Sequence, residues 1–160
     1  YSGFLLEDGH RTSPKKGAPI KAEVAADWTD QIAPQMLKEY KESSKNNSPL
    51  SFLSSRLSQF TKATRIFTTR DYTHTNVAAE FHQACDNIPN TLVIIKSGQY
   101  IAGGYTEVAW SSADTHIPVS NTSQAFVFSV NKQKVYANKD TSKAIGGYDN
   151  CGPVFDGTDE

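Results

Sequence analysis

The sequence has little of the features that point directly to nucleic-acid or membrane binding. Its 16 Lys and Arg residues nearly balance 17 Asp and Glu residues, so the formal net charge of the 160 residues is −1. Proteins that bind nucleic acid or anionic surfaces through charge carry a basic excess, so we expect no nucleic-acid partner. No run approaches the roughly 18 apolar residues of a membrane-spanning helix, so we expect no membrane insertion.

Cysteine is scarce as well, and the N-terminus carries no recognisable secretory signal. The two cysteines are Cys85 and Cys151, and one bridge would be sparse for a secreted scaffold of this size. We therefore expect reduced thiols, no disulfide and an intracellular, cytoplasmic location, with cytoskeletal or ciliary assemblies as narrower cases. The first residues lack the charged and long apolar regions of a signal peptide, and the chain does not start with Met, so we expect a processed or incomplete product.

Apolar residues make up 38% of the chain, and they are unevenly distributed. Residues 1–47 are mostly polar, whereas residues 63–110 are dense in aliphatic and aromatic side chains. We predict an N-terminal arm over residues 1–47 and a folded domain over residues 48–160, which we expect to fold without the arm.

The arm contains two segments with different patterns. Residues 1–21 hold three Gly and two Pro, a composition that predicts an extended, irregular segment. Residues 23–43 carry apolar side chains at every fourth position, which predicts an amphipathic helix that Pro34 kinks or divides. We predict that part of the arm contacts another protein; packing on its own domain is the alternative. The candidate partner-binding residues are Phe4 and Leu5 in the first segment, and Trp28, Ile32, Met36 and Tyr40 on a helical stripe of the second segment that also includes Val24.

The folded domain begins with helices and continues as an antiparallel meander. The strongest local signal is the apolar run 91–96, a turn at Ser97-Gly98 and a returning strand over 99–106. The other predicted elements are a helix over 48–59, a strand over 63–69, a helix over 76–84 capped by Thr75, a polar loop over 111–123, a hairpin of 124–130 with 134–138, and short strands over 144–148 and 153–155. This order predicts the α+β class, with an antiparallel sheet or sandwich core and flanking helices.

Five motifs occur in an order that resembles the TLDc domain family over residues 50–160. They are Phe81-His82-Gln83-Ala84-Cys85-Asp86, the strand 91–96, Gly103-Gly104-Tyr105-Thr106 with Trp110, Ala125-Phe126-Val127-Phe128-Ser129, and Gly152-Pro153 followed by Phe155. The sequence departs from the family pattern at Tyr72, at 88–90 and at Asp156, and it ends at Glu160, where the family continues through further strands. The resemblance implies a TLDc-like fold, roles in protection against oxidative damage and, in several cases, regulation of the vacuolar proton pump.

Physical reasoning about the same motifs favours structural roles. Two adjacent glycines within a strand suit a bulge, a sharp twist or the close approach of another segment. The large aromatic residues supply buried area. The motif residues interpreted as structural are Phe81, His82, Cys85, Asp86, Gly103, Gly104, Tyr105, Trp110, Phe126, Phe128, Gly152, Pro153 and Phe155.

Chemical interpretations of the sequence rest on few residues. His82 and Cys85 lie three apart on one helix, so a thiolate–imidazole pair is one hypothesis, and a buried thiol beside a histidine is the other. Adding His116 and Cys151 would make a zinc site conceivable, but these ligands lack the paired close spacing of zinc motifs.

Two pairs of acidic residues are the last candidates for catalytic chemistry. Asp71 with Glu80, or Asp149 with Asp156, could act as paired carboxylates, although solvated surface acids are the default interpretation. We predict no catalytic residue, metal or cofactor. The predicted function is a non-catalytic adaptor within a larger intracellular complex; regulation of the vacuolar proton pump and a thiol-dependent redox enzyme are the alternatives. An accessible Cys85 with a lowered pKa would favour the enzyme, and a buried one the adaptor.

Overall fold

A computed structural model describes residues 2–7, 51–57, 59–60, 62–69, 76–120 and 124–156, and the structural statements below concern these residues. They form two antiparallel sheets and two short α-helices. In chain order the elements are β1 (Ser2–Glu7), α1 (Ser51–Leu57), β2 (Lys62–Thr68), α2 (Val77–Cys85), β3 (Thr91–Ser97), β4 (Tyr100–Thr106), β5 (Thr115–Ile117), β6 (Ala125–Ser129), β7 (Lys134–Ala137), a 3₁₀ helix (Thr141–Lys143), β8 (Ile145–Gly147) and β9 (Val154–Phe155).

The larger sheet has six strands in the order β2-β1-β3-β4-β6-β7, and the smaller has three in the order β5-β8-β9. All strand pairs within both sheets are antiparallel. The predicted antiparallel, sandwich-like fold is therefore confirmed, with less helix than expected in the described part of the chain. The predicted helical segment 23–43 lies outside the described residues.

The hairpin predicted from the strongest local signal is confirmed. Strands β3 and β4 pair from Thr91 with Thr106 to Ser97 with Tyr100. The two-residue loop is Gly98-Gln99, one position later than predicted. Gly98 has φ +58°, and a positive φ at the first turn position is the feature for which type II′ hairpins use glycine.

Strand β1 corrects the prediction that residues 1–21 form an irregular arm. It lies between β2 and β3 as an interior strand, the second of six in the larger sheet. Phe4 is 1% exposed and packs in the core, so its interpretation as an anchor for a partner is wrong, and the alternative stated for it holds. Leu5 is half-buried and pairs with Thr64 and Thr91 on the neighbouring strands. Deleting residues 1–47 would remove a central strand, so residues 48–160 lack part of this sheet.

The larger sheet buries side chains on both faces. The first face carries the cluster covered by α1: Phe4, Leu6, Leu53, Leu57, Phe60, Leu92, Ile94, Tyr105, Phe126 and Phe128. The second face carries the cluster under α2 and the smaller sheet: Phe67, Phe81, Cys85, Val93, Trp110 and Ile145. Alternation along β3 assigns Leu92 and Ile94 to the first face and Val93 to the second.

Two local predictions need correction. Asn76, not Thr75, caps α2, because its side-chain oxygen accepts from the Ala79 N–H at 3.1 Å. The predicted polar loop 111–123 contains strand β5, which pairs with β8, and a buried Val119. A three-residue strand among polar residues has too short a pattern to be recognised, and pairing with β8 stabilises it.

Candidate functional site

The aromatic motif residues divide between the two faces of the larger sheet. Tyr105, Phe126 and Phe128 lie in the cluster on the first face. On the second face, Phe81 and Trp110 meet edge to face with ring centroids 5.4 Å apart, and Trp110 meets Phe155 in the same way at 5.4 Å. These stacked rings join α2 to the smaller sheet. The motifs of the second face therefore converge on one junction, although they are spread over about 75 residues of sequence.

The two adjacent glycines permit close approach from both sides of β4. A Cβ at Gly103 would overlap the Val93 carbonyl oxygen and lie 2.6 Å from Phe128 Cζ. A Cβ at Gly104 would lie 2.5 Å from the ring of Phe155. Phe155 thus packs directly against the backbone of β4, which fixes the position of β9 on the second face.

His82 pins α2 to the turn at residues 148–151. Its Nδ1 lies 2.7 Å from Asp86 Oδ1, and its Nε2 lies 2.7 Å from the Tyr148 carbonyl and 3.0 Å from the Cys151 carbonyl. Asp86 also accepts from the Ser112 hydroxyl at 2.8 Å. All three partners of the ring are hydrogen-bond acceptors, namely one carboxylate oxygen and two backbone carbonyl oxygens.

Cys85 does not have the setting of a reactive thiol. Its side chain is fully buried, and burial, followed by the negative charge of Asp86, raises the pKa of the thiol far above its ordinary value of 9.0. Both ring nitrogens of His82 are engaged elsewhere, so they do not activate this sulfur. A catalytic or metal-binding cysteine needs a stabilised thiolate, and here the environment opposes one.

The other candidates for chemistry are the Cys151 thiol and the pair of His116 with Asp156. Cys151 is a free, half-buried thiol that donates to Asn150 Oδ1 at 3.2 Å. His116 Nδ1 lies 3.1 Å from Asp156 Oδ2, and both side chains are 40% exposed. Tyr148 lies beside His116 with ring centroids 5.7 Å apart. Among the described residues, no three His, Cys, Asp or Glu side chains are grouped so that they could hold a metal ion.

The two predicted carboxylate pairs, Asp71 with Glu80 and Asp149 with Asp156, stay predictions. Asp71 lies outside the described residues, and Asp149 and Asp156 lie in the segments that follow β8 and β9. Asp156 is engaged with His116. The partner-binding candidates Trp28, Ile32, Met36 and Tyr40 also lie outside the described residues.

An apolar groove lies on the second face beside the smaller sheet. Solvent exposure increases along β3, because Val93 is 1% exposed and Ile95, on the same face, is 45% exposed. The groove has a volume of about 340 Å³ and includes in its lining Val93, Ile95, Ala102, Val127, Tyr136 and Phe155. Pro153, which precedes β9, lines the side next to the smaller sheet. We call this surface the open groove.

Sequence reasoning did not identify the open groove. The available signal is that β3 is apolar at both odd and even positions, a pattern that is typical of a strand buried on both faces. Only the tertiary arrangement shows that the covering sheet ends before Ile95. In addition, no helix among the described residues is long and apolar enough to cross a membrane.

Comparison with known proteins agrees with the motifs. The sequence profile of the TLDc domain matches residues 41–159. Searches among curated proteins and among solved structures return no significant match. The matched range covers most of the chain and contains all five motifs, which meet on the two faces of one antiparallel sheet. This chain therefore belongs to the TLDc domain family.

Proposed function

We propose that this TLDc module is a non-catalytic protein-binding domain and that it binds its partner through the open groove. The observation that carries the proposal is the exposed apolar surface around Ile95, which continues into a groove of about 340 Å³. Exposed apolar surface next to a concave site is typical of binding sites, because covering it releases water from apolar area. The surface lies on β3, β4, β6 and β7, so a partner would meet a rigid platform.

The state of the cysteine supports the adaptor over the redox enzyme. Cys85 is buried and its pKa is raised, and an inert thiol of this kind is what we expect of an adaptor. His82 and Asp86 serve as a structural clamp between α2 and the 148–151 turn. The thiol-enzyme alternative has no favourable observation among the described residues.

The association of partner proteins with the full chain should depend on the groove. Ile95→Lys places a charge on the apolar surface. Tyr136→Ala removes the aromatic side chain with which β7 lines the groove. We expect each variant to weaken association by tenfold or more, because truncating a central interface residue commonly costs about 2 kcal/mol. Quantitative co-precipitation from cells measures the effect. Ile95→Val is the conservative control, and Thr115→Lys adds the same charge on an exposed strand of the smaller sheet.

Unchanged association with Ile95→Lys and Tyr136→Ala, in folded protein, would refute the proposed function. The chemical alternative has its own test. Cys85→Ser should leave partner association intact; loss of a measured peroxide-protecting activity in a folded Cys85→Ser variant would favour the enzyme. Regulation of the vacuolar proton pump stays a prediction from the family resemblance, and direct binding assays with purified pump subunits test it.

Contact between the N-terminal arm and another protein also stays a prediction. Because β1 is a central strand, a test must keep residues 2–7 in place. Trp28→Ala meets this requirement, and it should cost about 2 kcal/mol of binding if Trp28 lies at the contact. Equal partner affinity of the Trp28→Ala variant and the unaltered chain would refute a role for Trp28.

A further inference from the structure

The edge of the larger sheet next to the open groove carries backbone groups that no described residue uses. Strand β7 ends the sheet order on this side. On β6, the Val130 N–H donates to Ile101 of β4 at 2.9 Å, and the Ala125 carbonyl accepts from Asn138 at 3.4 Å. Residues of β6 therefore alternate between β4 and β7 as hydrogen-bond partners.

This alternation determines which groups of β7 face outward. Val127 pairs with Tyr136 and Ser129 with Lys134. These are the hydrogen-bonded pairs, so Tyr136 and Lys134 direct their N–H and C=O groups toward β6. Val135 and Ala137 direct theirs away from β6, toward the free edge. Two residues thus offer two donors and two acceptors to an additional strand.

The two hairpins that flank the open groove carry basic side chains and no acidic ones. The hairpins 91–106 and 125–138 contain Lys96, Lys132 and Lys134 and no Asp or Glu. Lys134 lies with its Nζ 4.9 Å from the centroid of the Tyr136 ring, and Tyr136 lines the open groove. A basic group and an apolar surface therefore stand two residues apart on one strand and on the same face of the sheet.

We propose that β7 accepts an extended strand from a partner protein, which places an apolar side chain at the open groove and an acidic side chain beside Lys134. The inference rests on the proposed function and names the partner's chemistry. The added strand pairs with Val135 and Ala137 through its backbone. An apolar residue opposite Tyr136 reaches the groove, and a Glu or Asp two positions away lies opposite Lys134. The motif is therefore an apolar residue and an acid in an i, i+2 relation within an extended segment.

A designed peptide tests this chemistry directly on the full chain. The probe is a capped, fluorescent peptide, Thr-Glu-Thr-Trp-Thr-Glu-Thr, which presents a Glu two positions from Trp in either strand direction. Fluorescence anisotropy measures its binding. A matched peptide with Lys in place of both Glu residues should bind several-fold more weakly, because it places like charges at Lys134.

Protein variants separate the backbone contribution from that of the side chains. Ala137→Pro removes one outward donor from an exposed edge position and should weaken peptide binding about threefold to tenfold, the effect of one lost hydrogen bond. Ala137→Val keeps the N–H and is the matched control. Lys134→Glu should weaken binding of the acidic peptide and strengthen binding of the Lys peptide. Lys62→Glu makes the same charge change on β2, at the other edge of the sheet, and should alter neither affinity.

Circular dichroism and thermal melting establish that each variant is folded before binding is measured. A photo-crosslinking amino acid at position 95 then identifies what covers the groove. Crosslinks to the peptide support the proposal. Crosslinks to residues of the same chain, or to a second copy, refute it, because either occupant would replace the partner strand.

The two proposals fail in different ways. If Ile95→Lys reduces association in cells but folded Ala137→Pro and Lys134→Glu bind the peptide like the unaltered protein, strand addition is refuted and groove binding stands. If the peptide does not bind at all, strand addition is also refuted. If Ile95→Lys and Tyr136→Ala both leave cellular association unchanged, the proposed function itself is wrong.

Discussion

Replacing Gly104 by alanine tests how the smaller sheet is held on the larger one. The added Cβ would lie 2.5 Å from Cε2 and Cζ of Phe155 and 2.8 Å from its Cδ2. Carbon atoms in favourable contact are about 3.5–4.0 Å apart, so the ring must move by about 1 Å or more. Such a shift also disturbs the edge-to-face contact between Phe155 and Trp110, whose centroids are 5.4 Å apart.

The expected loss of stability follows from these two effects. Overpacking a core position costs about 1–3 kcal/mol, and an aromatic pair contributes about 0.5–1.5 kcal/mol. We therefore expect Gly104→Ala to lower the free energy of unfolding by about 2–3 kcal/mol. For a domain of this size each kcal/mol lowers Tm by about 2–4 °C, so thermal melting followed by circular dichroism should show a decrease of about 4–12 °C.

Three further variants make the test specific. Phe155→Leu removes the ring atoms that clash, so in combination with Gly104→Ala it should cost less than the sum of the two single changes. Gly3→Ala is the matched control, because its Cβ would meet nothing closer than Cys85 Sγ at 3.6 Å. Gly103→Ala should be more destabilising than Gly104→Ala, since its Cβ overlaps the backbone oxygen of Val93. Equal melting temperatures for all three alanine variants, or no relief from Phe155→Leu, would refute the packing argument.

Three other predictions concern buried groups. Iodoacetamide should modify half-buried Cys151 at least tenfold faster than buried Cys85 in the folded protein, as measured by mass spectrometry; equal rates would contradict the burial of Cys85. The free energy of unfolding should fall as pH rises above 9.0, because burial raises the pKa of Cys85 in the folded state while the unfolded thiol ionises near its ordinary value. Denaturant titrations of Cys85→Ala should lack this decrease between pH 9.0 and 10.0. The window ends at pH 10.0 because that is the ordinary pKa of Tyr105, whose pKa burial also raises in the folded state. If the variant shows the same decrease as the unaltered protein, Cys85 is not its cause. Tyr105→Phe removes a hydrogen bond of 3.1 Å to Asn90 and should cost about 1 kcal/mol in urea unfolding, and no loss would show that water replaces the contact.

Local patterns were sufficient to predict the elements that need only their own neighbours. The β3–β4 hairpin follows from an apolar run, a glycine turn and a second run, and its turn lies one residue later than predicted. Helix α2 follows from its apolar periodicity, with the cap shifted from Thr75 to Asn76. The TLDc resemblance added the motifs, which carry no information on their own about which face of the sheet each residue occupies.

Elements that depend on distant partners could not be predicted. Strand β1 pairs with β2 and β3, about 60 and 90 residues away, so nothing in residues 2–7 distinguishes a central strand from an apolar patch in an irregular segment. The same reasoning applies to β5, whose partner β8 is about 30 residues away. The open groove is harder still, because it depends on where the smaller sheet stops.

The position where the smaller sheet stops connects the motif residues to the proposed binding site. Phe155 packs on the bare backbone at Gly104, and Pro153 and Phe155 form one side of the open groove. His82 holds the 148–151 turn that leads into this segment, at 2.7 Å from the Tyr148 carbonyl. None of the side chains of His82, Cys85 or Trp110 lines the groove. They hold the sheet whose Pro153 and Phe155 line the groove, so their effect on the proposed binding site would be indirect.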